Sequence, residues 1–245
     1  RSPIFTDPST GGLATFDCVI ANPPFSLEQW GREIWENDPW GRTFAGLPND
    51  SSGDFAWVQH MVKSMALGGG RMAVVLPQGA LFRSGVEGQI RQYLLKHDLI
   101  EAVIGLAPNL FYGTGLAACI LVLRQRKAPQ RAEKVLIVDA SGQFRKGRAQ
   151  NFLDPQHAAE IHAWVQAFQE VPHPDHDLRR PRARPGEDET RSLCLPGPPI
   201  QRETAASDDR QGPGVKAILS VLAGRTPRPE GRASLPGGIF PFPAG

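Results

Sequence analysis

Apolar positions fall along the chain in short, nearly continuous runs separated by stretches with helical spacing. The first run, Phe16-Asp17-Cys18-Val19-Ile20-Ala21, is β-branched and short, as strands covered on both faces are. Phe55, Val58, Val62 and Met65 then share one helical face, with Ser51 or Ser52 as cap and Gly68-Gly69-Gly70 as stop. Met72 to Leu76 reads as a strand closed by Pro77, Val86 to Lys96 as a helix, and Leu99 to Ile104 as another strand. Beyond a loop, Ala117 to Leu123 and Val135 to Val138 are strand-like. Asp154-Pro155 supplies an N-cap and a first helical residue for a helix with Ile161, Trp164, Val165 and Phe168 on one stripe. This alternation predicts a parallel α/β sheet, whose ligands sit beyond the carboxyl ends of its strands.

Composition sets the limits of that domain. Of 245 residues, 40% are hydrophobic and 21% charged, enough apolar material for a core. The balance of 27 Lys+Arg against 25 Asp+Glu excludes a strongly basic coat and an acidic tail alike. Residues 171–245 hold 13 Pro and 9 Gly, so the expected organisation is a folded domain over 1–170 and a low-complexity, disordered or frameshifted tail over 171–245. Within that tail only Val215 to Leu222 has a helical look, stopped by Gly224 and Pro227. No apolar run reaches a membrane span's length, and no signal sequence is visible. The chain reads as cytoplasmic and non-membrane. Cys18, Cys119 and Cys194 are too far apart in sequence for a disulfide framework, and His157 and His162 lack metal-ligand spacing, so no metal is expected.

Asn22-Pro23-Pro24-Phe25 follows the first strand directly, where an open α/β sheet keeps its active site. Each proline fixes its own φ and pushes the residue before it to extended backbone. Two in a row make a stiff corner with no N–H of its own, leaving carbonyls and the Asn22 amide to face the cleft. Such a corner suits a ligand that donates hydrogen bonds, such as the exocyclic amine of a planar base, with Phe25 as a stacking face. The same tetrapeptide also serves as a rigid turn with Phe25 tucked into the core.

The neighbouring segments bear on that choice. Phe16 to Phe25 resembles the catalytic segment of amino-group DNA methyltransferases. Gly70 to Phe82, Asn109 to Gly115 with Ala118 to Leu123, Val135 to Ala140, and Gln150 to Leu153 are similar, in order, to the modification subunits of type I restriction systems. The resemblance runs from about residue 14 to about residue 170. It implies the C-terminal half of a Rossmann-like methyltransferase sheet, with S-adenosylmethionine as methyl donor and adenine N6 of double-stranded DNA as acceptor. The adenine would be flipped into the pocket. Asn22 and the Pro23 carbonyl would orient the amine, Pro24 would keep the corner stiff, and Phe25 would stack on the base. Phe111 lies where related enzymes carry a second aromatic beside the base; it reads equally as a core residue under the loop, and Tyr112 follows it. The partners implied are a specificity subunit that reads the DNA sequence and a restriction subunit.

Two departures stand out. The family's glycine-rich cofactor loop precedes the Asn-Pro-Pro-Phe segment, and residues 1–21 do not contain it. Asp7 is a candidate remnant near the cofactor's adenine edge, or a surface-loop residue. Downstream, Ser192-Leu193-Cys194-Leu195-Pro196 resembles only weakly the family's continuation. A non-catalytic remnant is therefore an alternative expectation, as is an amino-methyltransferase acting on RNA guanine or a protein glutamine amide. Eight basic residues between Arg124 and Arg148, set against Glu133 and Asp139, are a candidate phosphate-contacting face or a solvated sheet edge. Trp30, Trp35 and Trp40 suggest a DNA-facing lid or a satellite hydrophobic cluster.

Overall fold

The computed structural model describes residues 6–111 and 114–168. Tyr112, Cys194, the Val215 to Leu222 segment and the Pro/Gly-rich tail lie outside the described residues. The principal sheet has strands β1 (Cys18–Ala21), β2 (Arg71–Pro77), β3 (Ile100–Leu106), β4 (Ala118–Arg124) and β5 (Leu136–Ala140), in spatial order β1-β2-β4-β3-β5. β2 and β4 are buried along almost their whole length. That is the physical meaning of their unbroken apolar runs: both faces of the sheet are covered.

Helices α1 (Arg32–Glu36), α2 (Asp54–Lys63), α3 (Val86–Lys96) and α4 (Pro155–Ala167) complete the domain, with a short hairpin of β6 (Arg145–Lys146) and β7 (Asn151–Phe152). Phe55, Val58 and Val62 of α2 and Ile90 and Leu94 of α3 pack with Met72, Val74, Leu76, Cys119, Leu121 and Leu123 of the sheet. Ala158, Ile161 and Val165 of α4 pack with Ile104, Ile120, Val122 and Val138 in a second core. Asp154 caps α4 in a reciprocal box with His157, as its Asp-Pro start predicts. The cap of α2 departs from expectation: Gly53 occupies that position, and Ser52 accepts from the Asp54 N–H one residue further in. Cys119 is fully buried, and burial pushes its thiol up to about 12. At pH 8 its thiolate fraction is then on the order of 10⁻⁴. Iodoacetamide treatment followed by mass spectrometry should modify half-buried Cys18 well before Cys119; equal modification of the two in folded protein would contradict this.

The sheet is mixed, which corrects the expectation of a parallel one. β1 runs parallel to β2 and β3 parallel to β5, but β4 is antiparallel to both β2 and β3. The reason lies in the connection. A parallel return needs a crossover, usually a helix, whereas the described residues between β3 and β4 contain none. The chain therefore turns back on itself, and β4 slots in reversed. Consequently the carboxyl ends of β1, β2, β3 and β5 and the amino end of β4 meet at one edge of the sheet. β1 is an outer strand, paired only with β2 among the described residues.

Candidate active site

Asn22 leaves the carboxyl end of β1 at that common edge. Pro23 is buried, while Asn22, Pro24 and Phe25 are half-buried. The Asn22 side-chain oxygen Oδ1 is buried and accepts no hydrogen bond from the described residues. An unpartnered buried acceptor costs about 1–3 kcal/mol, so most are paired with protein or water. Its natural complement is an N–H donor delivered by a ligand.

The reversed β4 brings the loop at 107–117 to the same place. Within it Phe111, 9% exposed, meets the ring of Phe25 edge to face, with centroids 5.3 Å apart and planes at 67°. Phe111 belongs to the α4-side core with Ala107 and Leu110, and Phe25 packs against that core from outside. The loop is pinned from below: the Asn109 carbonyl accepts from the Asn151 N–H at 2.8 Å, and Asn151 Nδ2 donates to the Pro108 carbonyl at 2.9 Å. At its other end the Gln78 N–H, just past β2, donates to the Ala117 carbonyl at 2.9 Å. Phe25, three residues past Asn22, and Phe111 are thus brought together from positions far apart in sequence.

Asp7 occupies a separate turn. Its Oδ1 accepts from the Ser9 hydroxyl and the Ser9 N–H, and these bonds hold its carboxyl below the usual range. The glycine runs do not face the corner. Gly68-Gly69-Gly70 leads into the amino end of β2, at the opposite edge of the sheet from Asn22. Gly11 and Gly12 close the Asp7 turn through backbone hydrogen bonds.

Four of the eight basic residues are ion-paired within the fold. Arg124 and Arg131 both bind Glu101, at 2.5 and 3.1 Å, Lys127 binds Asp98 at 2.5 Å, and Arg145 binds Asp154 at 2.7 Å. These pairs argue against a continuous phosphate-contacting face there. The three tryptophans form a satellite cluster: Trp30 and Trp35 meet at 5.3 Å, and the Arg42 guanidinium lies over Trp35 and Trp40 at 4.1 and 4.9 Å.

Four side chains that the sequence did not single out gather just behind the corner. Ser26, Asp54, Arg83 and Glu87 form a hydrogen-bonded group linking the exit of the corner to α2 and α3. One signal was available. Glu87 lies three residues before Ile90 and seven before Leu94, on the side of α3 that faces inward, and an acid there requires a partner. Burial pushes the Glu87 carboxyl above its ordinary value, against the pull of Arg83.

The chain matches the N-6 DNA Methylase family over residues 2–177. It is 37% identical over 136 residues to the type I restriction enzyme MjaVII methylase subunit of Methanocaldococcus jannaschii, covering 53% of this chain and 23% of that protein. It is 34% identical over 125 residues to the HindI methylase subunit of Haemophilus influenzae, covering 51% of this chain and 27% of that one. Among solved structures, the type I restriction-modification methyltransferase subunit of Streptococcus thermophilus superposes with a TM-score of 0.60 at 32% identity, over 70% of this chain and 36% of that one. The match thus spans about a quarter of the length of these curated relatives. With the match extending over most of the chain, the Asn-Pro-Pro-Phe corner within it, this protein belongs to the N-6 DNA methylase family.

Proposed function

We propose that this chain carries the adenine-holding part of a DNA adenine-N6 methyltransferase, the modification subunit of a type I restriction system. The observation that carries the proposal is the buried, unpartnered Oδ1 of Asn22 on a proline-stiffened corner beside an aromatic pair. The adenine amine is a poor nucleophile because its lone pair is delocalised into the ring. Donation of one N–H to Asn22 Oδ1 and the other to the Pro23 carbonyl favours a pyramidal nitrogen with its lone pair directed outward. The same two acceptors stabilise positive charge developing on that nitrogen, the cationic counterpart of an oxyanion hole. Phe25 stacks on the flipped base, and Phe111 backs Phe25 from the core.

S-adenosylmethionine is the methyl donor in this proposal. The described residues fit the amine and not the donor: Gly68 to Gly70 lies at the wrong edge of the sheet, and the Asp7 carboxylate is engaged by its own turn. Neither candidate is placed to hold the donor, and the chemistry assigned to this chain is confined to holding and polarising the base. Double-stranded DNA, a specificity subunit and a restriction subunit are the partners that the type I relatives suggest.

Saturation-transfer NMR on the purified chain tests base holding without the donor. Adenosine is expected to bind, N6,N6-dimethyladenosine, which has no amino N–H to give, is not, and Asn22→Ala should abolish the difference. Equal signals from the two nucleosides with the wild-type chain would overturn the assignment of Asn22.

A further inference from the structure

A corner built on Pro23 and Pro24 lacks two of the N–H groups by which a turn ordinarily holds itself. Ser26, the first residue beyond Phe25, has a left-handed backbone at φ 48°, a conformation that a non-glycine residue keeps only where its surroundings impose it. Those surroundings are specific. The Ser26 N–H donates to Asp54 Oδ1 at 2.8 Å, and Arg83 Nη2 donates to the Ser26 hydroxyl oxygen at 2.9 Å. Asp54 is fully buried at the start of α2.

Arg83 locks the other side of that carboxylate. Its Nη1 donates to Asp54 Oδ2 at 2.7 Å, lies 2.9 Å from Ser52 Oγ, and reaches both Glu87 oxygens at 3.3 Å. Arg83 follows the turn at Gln78–Leu81 that leaves β2, and Arg91 of α3 ties this turn down by donating to the Ala80 and Arg83 carbonyls. β2, α2 and α3 thus converge on the residue that follows Phe25. Buried ionic groups of this kind are weak contributors to stability compared with apolar packing of the same volume. Their geometry, by contrast, is sharply defined, because the planar guanidinium forks between fixed acceptors.

We propose that Asp54, oriented by Arg83, is a positioning residue that fixes Ser26 in its left-handed conformation and so aims Asn22 Oδ1 and the Phe25 ring at the incoming base. This assignment rests on the adenine-holding role given above to Asn22 and Phe25. Asp54 does not touch the base; it acts through Ser26.

The test is fluorine NMR of the full chain labelled with 4-fluorophenylalanine, with the Phe25 signal assigned by its loss in Phe25→Leu and the Phe152 signal as a remote control. Asp54→Ala should shift or broaden the Phe25 resonance and lower the adenosine saturation-transfer signal at least fivefold. Asp54→Asn, which keeps an acceptor for the Ser26 N–H, should restore much of both. Arg83→Lys keeps a positive charge beside Asp54 but loses the fork to Ser26, and should reproduce the Asp54→Ala pattern in folded protein. It decides the matter if Asp54→Ala does not fold. A Phe25 resonance unmoved in folded Arg83→Lys would overturn the proposal. A Phe25 resonance that moves, in a chain whose wild type binds no adenosine, would uphold the anchoring and defeat the adenine-holding assignment instead.

Discussion

On the adenine-holding role proposed above, replacing Asn22 by alanine is expected to lower methyl transfer to adenine, in a modification enzyme that joins this chain to the groups holding the donor, by about 10²–10³-fold, the usual loss when one preorganised polar partner of a transition state is removed. The same change should make the folded chain more stable. Asn22 Oδ1 is a buried acceptor with no partner, and its removal relieves a penalty of about 1 kcal/mol. For a domain of this size that corresponds to a rise in Tm of roughly 2–4 °C. Activity and stability should therefore move in opposite directions, as they do where an active site holds polar groups in readiness. Thermal unfolding of the chain followed by circular dichroism reads the second, and an assay of N6-methyladenine formation in duplex DNA by the modification enzyme that carries it reads the first. Parallel loss of activity and stability would make Asn22 a structural turn residue, the other role its tetrapeptide admits.

Gly70→Ala is expected to be strongly destabilising. A Cβ there would stand 2.5 Å from the Ala66 nitrogen and 2.7 Å from the Ala66 oxygen. Both are backbone atoms, and the Gly70 N–H already donates to that same carbonyl at 2.7 Å. Nothing flexible is available to give way, so α2 must separate from the start of β2. A loss of about 3 kcal/mol follows, with Tm falling by roughly 10 °C. Gly68→Ala is the control: a Cβ at that position meets nothing within 4 Å. If the two variants melt together, the close approach at Gly70 is not what the turn depends on.

Most strands were legible because unbroken apolar runs have one economical use in a chain of this kind, as strands covered on both faces. β2 and β4 are of this sort, and the runs at 72–76 and 117–123 lie within a residue or so of their true limits. Strand direction was not legible, since side-chain pattern is indifferent to it. The clue was negative: no helical spacing between Ile104 and Ala117, hence no crossover. The corner at Asn22 was visible because two consecutive prolines restrict the backbone before any tertiary contact is made. Its support was not. Asp54, Arg83 and Glu87 are charged residues at the ends of helices and turns, where charge is ordinarily solvated, and only the fold brings them behind Ser26. The pairing of part of the basic run at 124–148 was hidden for the complementary reason: Glu101 and Asp98, which bind Arg124, Arg131 and Lys127, belong to another segment.

The reversal of β4 has a consequence for how the sheet closes. Pairing β3 with β4 closes the loop at 107–117, whereas pairing β1 with β2 closes the stretch at 22–70. The longer closure costs about 1.3 kcal/mol more in chain entropy. β1 is also short and half-buried throughout, at the rim of the sheet. Among the described strands, the one that presents Asn22 thus has the least local cooperativity to hold it, and in this chain fraying is expected to start where the base would be gripped.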